Sequence, residues 1–312
     1  MGGMVLLGAM EPPQDPLPPT PSPLPAETRP EEPGFALSRD RLTLADLLSR
    51  ASEAWSKDLG TWVLAMLLYW LLGFGIPAGL GVVWGFFSTI QETSGDAGPA
   101  FHAIDAVVRV VLQVVQLVLS AIFTLGMWAM AVRGLHRRRT TIAVLFSQLS
   151  KIWKYILQSL AVMLAAVLIV LPIVVIIFLA FIGPVSLDTP MSEIMDDAGR
   201  PFGIAALVLL PLYVYLATGI VFMQAELAFN DDAGPVEAIV YSWRIARGKR
   251  WRIIGVGLVS GLIWLGSAML CGIGLLFGAP FALLLFGALY LGLRNGADVP
   301  SANTGTTLGR HY

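Results

Sequence analysis

Runs free of charged residues occupy positions 59–91, 110–132, 155–187, 201–225 and 253–293 of the chain. A helix crosses a hydrocarbon core of about 30 Å with roughly 20 apolar residues, and a charge at its centre costs about 2.5–3.5 kcal/mol. Each of the first four runs therefore reads as one transmembrane helix. The fifth would extend about 60 Å as a single helix, so it must fold back on itself. Cys271-Gly272-Ile273-Gly274 at its midpoint supplies the small residues of a tight turn. The pattern predicts an all-α polytopic bundle of six transmembrane helices, at about 61–87, 109–132, 155–182, 202–225, 253–271 and 274–293, within a domain of residues 42–295.

Amphipathic stretches precede three of these spans. Ile142, Leu145, Phe146, Leu149, Ile152, Trp153 and Ile156 share one helical face, with Ser147, Gln148, Lys151 and Lys154 opposite, which predicts an interfacial helix. Leu44, Leu47, Leu48, Ala51, Ala54 and Trp55 repeat that phase 98 residues earlier, starting from a capping box of Thr43 and Asp46. A third stretch, Val236, Ile239, Val240, Trp243 and Ala246, starts after Gly234-Pro235, with Arg247 where the others carry Trp55 and Trp153. The chain thus reads as three parallel repeats, each an interfacial helix followed by two spans. The competing explanation is that any segment entering a membrane tends to be basic and amphipathic.

Composition agrees with the membrane class, at 56% hydrophobic and 13% charged residues and a mean hydropathy of +0.74. The net charge of −1 hides a segregation of sign. Eighteen of the 20 basic residues fall on one side of the expected bundle, and only Arg109 and Arg200 on the other. The positive-inside rule then places both termini and the basic connectors in the cytoplasm. Residues 11–34 hold half of the 20 prolines, and fixed φ with missing N–H donors predicts a disordered, proline-rich cytoplasmic tail over 1–41. Residues 296–312 form a second, short cytoplasmic tail. MGGMVLLGAM lacks the basic segment of a signal peptide, so no cleaved leader is expected. One cysteine excludes an intrachain disulfide. Sixteen arginines against four lysines hint at a GC-rich bacterial genome.

The succession LLSRASEAW, LFSQLSKIW and DDAGPVEAIVYSWRIARGKRW, followed by GIGLLFGAPFALLLFGALYLGLR, resembles the poorly characterised bacterial six-span membrane proteins of the YciC-like type. It is similar too to the membrane domain fused to some glycerophosphodiester phosphodiesterases. The likeness covers about residues 42–295. It implies a fold and a bacterial inner-membrane address, and it carries over no active site, because its motifs are hydrophobic spacings.

Catalytic chemistry is sparse. His102, His136 and His311 are scattered, and no zinc-hydrolase, phosphate-loop or nucleophile-elbow motif is present. No metal or cofactor is expected, and the chain reads as non-enzymatic. Asn230-Asp231-Asp232 has the composition of a helix cap ahead of Pro235, and the acidic 188–197 loop that of a solvated, capped helix. Inside the second span, Arg109, Gln113, Gln116, Ser120 and Thr124 recur at helical spacing. This stripe either lines a polar path or makes interhelical hydrogen bonds beside an Asp105–Arg109 pair. Pairs such as Gly75/Gly79, Gly81/Gly85, Gly257/Gly261 and Gly274/Gly278 permit close helix contact. Two basic groups mark candidate contacts to anionic membrane lipids: Arg137, Arg138, Arg139, Lys151 and Lys154, then Arg244, Arg247, Lys249, Arg250 and Arg252. Trp153, Trp243 and Trp251 are placed to anchor them at the interface. The function expected is the organisation of lipids or envelope partners; the alternative is a transporter or channel-like protein for a small or lipidic solute.

Overall fold

The computed structural model describes residues 37, 39–40, 42–94, 98–182, 207, 209–270, 272–304 and 307, with the side chains of 177–182 excepted. The proline-rich segment 1–36, the 188–197 loop, Cys271 and His311 lie outside the described residues. The chain is all-α, with no strand among the described residues, and six of its helices are long and apolar enough to cross a membrane. They run Leu59–Thr93, Pro99–Leu135, Ile142–Ile176, Leu209–Phe229, Arg250–Met269 and Leu275–Arg294.

In chain order, α1 (Leu44–Lys57) is the amphipathic entry helix. Thr43 Oγ1 accepts from the Asp46 N–H at 3.2 Å, the Asp46 carboxylate accepts from the Thr43 backbone, and Leu47, Ala51 and Ala54 are buried. Helix α2 (Leu59–Leu68) continues through a π-helical turn at Tyr69–Gly75 into α3 (Ile76–Thr93). Pro77 explains the wide turn: it has no N–H and its ring would clash with the carbonyl four residues back, so the ladder opens to let it pass. Helix α4 is Pro99–Leu135.

The stretch 142–156 is not one interfacial α-helix. It winds as two tight 3-10 turns, Ile142–Phe146 and Leu149–Lys151, before α5 (Ile152–Ile182) begins. Gly126 shows why the segment is pressed so close. A Cβ there would lie 2.1 Å from the Leu145 carbonyl oxygen, so α4 and the first turn meet backbone to backbone. Helices α6 (209–220) and α7 (Met223–Phe229) make the broken fourth span, and α8 (Pro235–Ala246) is the amphipathic connector helix. Helices α9 (Arg250–Met269) and α10 (Leu275–Arg294) form the closing hairpin, turned at Gly272 with φ +79°. Their approach uses Gly278, where a Cβ would fall 1.9 Å from Ser267 Oγ. Gly79, Gly81, Gly85 and Gly261 have nothing within 4 Å among the described residues, so these four make no close helix contact, whereas Gly257 meets Phe286 of α10 at 3.9 Å.

The core gathers around α10, whose most apolar 18-residue window is 72% buried, against 0% for that of α5. Leu284, Leu285, Ala288 and Leu289 of α10 join Ala129, Met130 and Val132 of α4 and Trp62 of α2. The inner positions are filled, and the outward faces of α3 to α6 and α9 carry Leu, Val, Ile and Phe, as a lipid solvent requires. Residues 39–58, 133–154, 226–252 and 294–307 bond to one another, so both terminal segments and both basic connectors share one end of the bundle.

Gly126→Ala should destabilise the protein by at least the 1–3 kcal/mol typical of overpacking, because the obstacle is backbone. Gly79→Ala should be neutral or slightly stabilising, since open helical positions prefer alanine. Thermal unfolding followed by tryptophan fluorescence in one detergent compares the two.

Candidate functional site

Four short segments at the basic end assemble a buried polar cluster. Glu226 in α7 is 0% exposed, on a helix whose neighbours Leu227, Ala228 and Phe229 are buried too. Its carboxylate accepts Arg294 Nε and Nη2, both at 2.9 Å, and the Tyr290 hydroxyl at 2.6 Å, with Asn230 Nδ2 at 3.3 Å. The forked pairing matches the planar guanidinium to both carboxylate oxygens. Arg294 also donates to the Pro300 carbonyl at 2.9 Å and lies over the Phe229 ring at 5.3 Å. Tyr290 packs edge-on to Phe229, which stacks on His136 from the α4 terminus.

One turn away, Lys151 is 4% exposed. Its ammonium donates to Asp231 at 2.7 Å and to the Leu227 and Ala228 carbonyls at 2.9 and 3.0 Å. It thereby satisfies the last carbonyls of α7, which a helix C-terminus leaves without partners. Lys154 does the same for the Asp231 and Ala233 carbonyls, at 2.9 and 3.0 Å. The segment after α10 closes over this cluster: Asp231 N–H donates to Asn303 O at 2.7 Å, and Thr307 Oγ1 to Ala228 O at 2.7 Å. Asn230, Asp231 and Asp232 are therefore spent on Asn303, Lys151 and Glu226, not on capping α8. That cap is Gly234, whose N–H donates to the Glu237 carboxylate at 2.9 Å.

The fourth span is interrupted beside this cluster, at 221–222. Ser242 of α8 repairs the break, donating to Gly219 O at 2.8 Å and accepting from Phe222 N–H at 3.1 Å. Unwound backbone at membrane depth needs such a substitute partner. Trp243 lies so close to Gly219 that a Cβ there would be 2.2 Å from its ring. Alongside, α5 and α6 splay apart to leave a lateral groove of about 730 Å³. Ala161, Ala165 and Ala166 form one wall, and Leu212, Leu216 and Ala217 the other. Val221, Gln224 and Ile239 close its basic end. Almost all its surface is apolar, and Ala161, Ala165, Ala166 and Ala217 leave room between walls otherwise lined by Leu, Ile and Val.

The stripe on α4 does not converge on this region. Arg109 is exposed and pairs with Asp105 at 2.8 Å, and Trp84 Nε1 donates to the same carboxylate at 2.8 Å. Gln113 and Gln116 are exposed, while Ser120 and Thr124 are half-buried. Among the basic residues, Lys151 is interior and Lys154 is committed to carbonyls. Arg137 pairs with Glu53 at 3.1 Å, and Lys249 with Asp40 at 3.1 Å. Arg250 lies 3.5 Å above the Tyr215 ring and donates to that residue's carbonyl, and Arg252 donates to Arg39 O at 2.9 Å. Arg139, Arg244 and Arg247 are exposed and Arg138 is half-buried, as are Trp153 and Trp251 exposed and Trp243 half-buried.

Glu226, Tyr290 and Arg294 were not evident from residue spacing, because a ruler of charge-free runs stops at 225 and 293 and treats both charges as boundaries. The signal was present: Leu227-Ala228-Phe229 continues apolar beyond Glu226, which marks a carboxylate inside the bundle.

This fold and site define a polytopic, helical membrane protein with six candidate spans. Among the described residues no three His, Cys, Asp or Glu side chains are grouped to hold a metal ion. The chain belongs to the family described as domain of unknown function (DUF7847), whose profile matches residues 98–289. The match begins at the cap of α4 and takes in Lys151, Glu226 and Asp231, stopping just before Tyr290 and Arg294. No curated protein and no solved structure matches the chain.

Lys151→Met should cost about 3–5 kcal/mol, the range for removing one partner of a buried ion pair, because Asp231 and two carbonyls are left unsatisfied. Arg139→Gln, at an exposed position, should change stability by less than about 0.5 kcal/mol. Denaturant titration in mixed micelles measures both.

Proposed function

We propose that the protein is a non-enzymatic membrane protein that holds lipids, seated in the bacterial inner membrane with both termini in the cytoplasm. The observation that carries this reading is the groove between α5 and α6. Its volume of about 730 Å³ falls in the range of ligand sites, its walls are apolar, and it opens sideways toward the bilayer. An acyl chain is the ligand that such a groove meets in a membrane. Arg138, Arg139, Arg244 and Arg247 stand at the basic end, where each positive charge near an anionic leaflet contributes about 1 kcal/mol. Anionic phospholipids are therefore the favoured class. The gathering of eighteen basic residues on one side supports the orientation. The resemblance to YciC-like six-span proteins supports the bacterial inner-membrane address. Transport is the weaker alternative, because it needs a second wall for the Arg109 stripe, whose outer residues are exposed on the single chain.

Ala165→Trp and Ala217→Trp fill the groove from opposite walls. Each should lower the number of lipids retained by the purified protein, counted by native mass spectrometry, while the helical content stays unchanged. Full retention by both correctly folded variants contradicts the reading.

A further inference from the structure

A second cavity lies at the basic end, where Arg39, Arg244, Arg247, Gly296, Ala297 and Asp298 line a polar cleft of about 470 Å³. Arg39 is fixed in place before any ligand arrives. Its guanidinium donates to Leu293 O at 3.2 Å and to the Arg247 carbonyl, and its own carbonyl accepts Arg252 Nη1 at 2.9 Å. The opposite rim is set by Gly296, whose φ of +94° turns the chain after α10 back toward α8.

What separates this cleft from most of the other basic residues is how their charges are used. Lys151, Lys154, Lys249, Arg250 and Arg252 each donate to a carboxylate or a carbonyl. Arg244 and Arg247 are exposed, and neither side chain has a hydrogen-bond or ion-pair partner among the described residues. They end α8, whose macrodipole presents about half a negative charge there. One guanidinium more than offsets that dipole, and the second leaves a surplus that a charge serving only to orient insertion has no reason to aim into a shared cavity. Among the described residues Asp298 is the single acidic side chain lining the cleft, against three arginines. Guanidinium groups fork planar pairs of N–H donors onto phosphate oxygens, a geometry a lysine does not supply. Exposed Trp251 follows one residue after Arg250, at the start of α9, where an indole settles at headgroup depth.

We propose that this cleft binds a phosphate group, with Arg244 and Arg247 taking its oxygens and Arg39 forming the fixed wall. This rests on the reading that the basic end holds anionic lipid, and it names the group recognised. The phosphate belongs either to a phospholipid headgroup or to a free phosphate ion.

The test uses the full-length protein in two arms. One counts phosphatidylglycerol retained from phosphatidylglycerol–phosphatidylcholine nanodiscs by native mass spectrometry; the other titrates the detergent-solubilised protein with inorganic phosphate by calorimetry. Arg244→Gln/Arg247→Gln should weaken binding roughly tenfold to thirtyfold, at about fivefold per charge. Asp298→Asn should strengthen it several-fold, a gain that a structural role for these residues does not produce and that keeps the proposal testable if the double variant misfolds. Arg50→Gln, at a guanidinium paired with Glu53 on α1, should leave binding unchanged. Loss in the nanodisc arm assigns a headgroup. Loss in the phosphate arm alone assigns a free ion to the cleft and leaves any retained lipid to the groove. Retention of phosphatidylglycerol by wild type, double variant and Asp298→Asn alike, with phosphate binding equally unchanged, overturns the cleft while leaving lipid binding in place. No binding by wild type in either arm overturns both.

Discussion

The Glu226 carboxylate is the constraint around which the basic end is arranged. A fully buried carboxylate is tolerated only when its charge is paired and its lone pairs are filled, and two elements supply what it needs: α10, with Arg294 and Tyr290, and the loop after α7, with Asn230. Those partners fix the rotation of α10 relative to the fourth span, and α10 is the helix on which α1, α2, α4 and α9 pack. A single interhelical hydrogen bond in a membrane averages about 0.6 kcal/mol, too little to impose a unique packing on helices that are otherwise uniformly apolar. A buried charge whose separation from its partner costs several kcal/mol is enough.

The same end accounts for the groove. Lys151 draws the start of α5 onto the terminal carbonyls of α7, while Ser242 and Trp243 of α8 hold the interrupted fourth span. Beyond these attachments α5 and α6 face each other across the groove, with alanines set among Leu, Ile and Val. The polar cluster thus works as a clamp at one end, and the lateral groove is what remains where the clamp stops acting.

Much of the architecture was legible in the sequence because bilayer thickness and charge cost act on every residue in the same way. The six apolar helices, the Thr43–Asp46 box, the Pro235 helix start and the Gly272 turn all follow from local rules. The 142–151 stretch did not, because its amphipathic spacing suits an α-helix, yet the close passage of α4 at Gly126 leaves the chain wound more tightly. Asn230–Asp232 misled for a related reason: residues that cap well in isolation were recruited by Lys151 and Asn303, which lie far away in the sequence. The cleft residues Arg244 and Arg247 were visible as charges, but only the fold separates them from Lys151 and Lys154, whose charges are consumed inside.

The claim that Glu226 organises this end is tested most directly by a double-mutant cycle on Glu226→Gln and Arg294→Gln, with unfolding free energies measured in the same mixed micelles. If the pair acts as one desolvated unit, each single change costs about 3–5 kcal/mol, and the double change costs little more than either, leaving a coupling nearly as large as one single cost, about 3–4 kcal/mol. Losses that simply add, to within about 0.5 kcal/mol, would contradict the account.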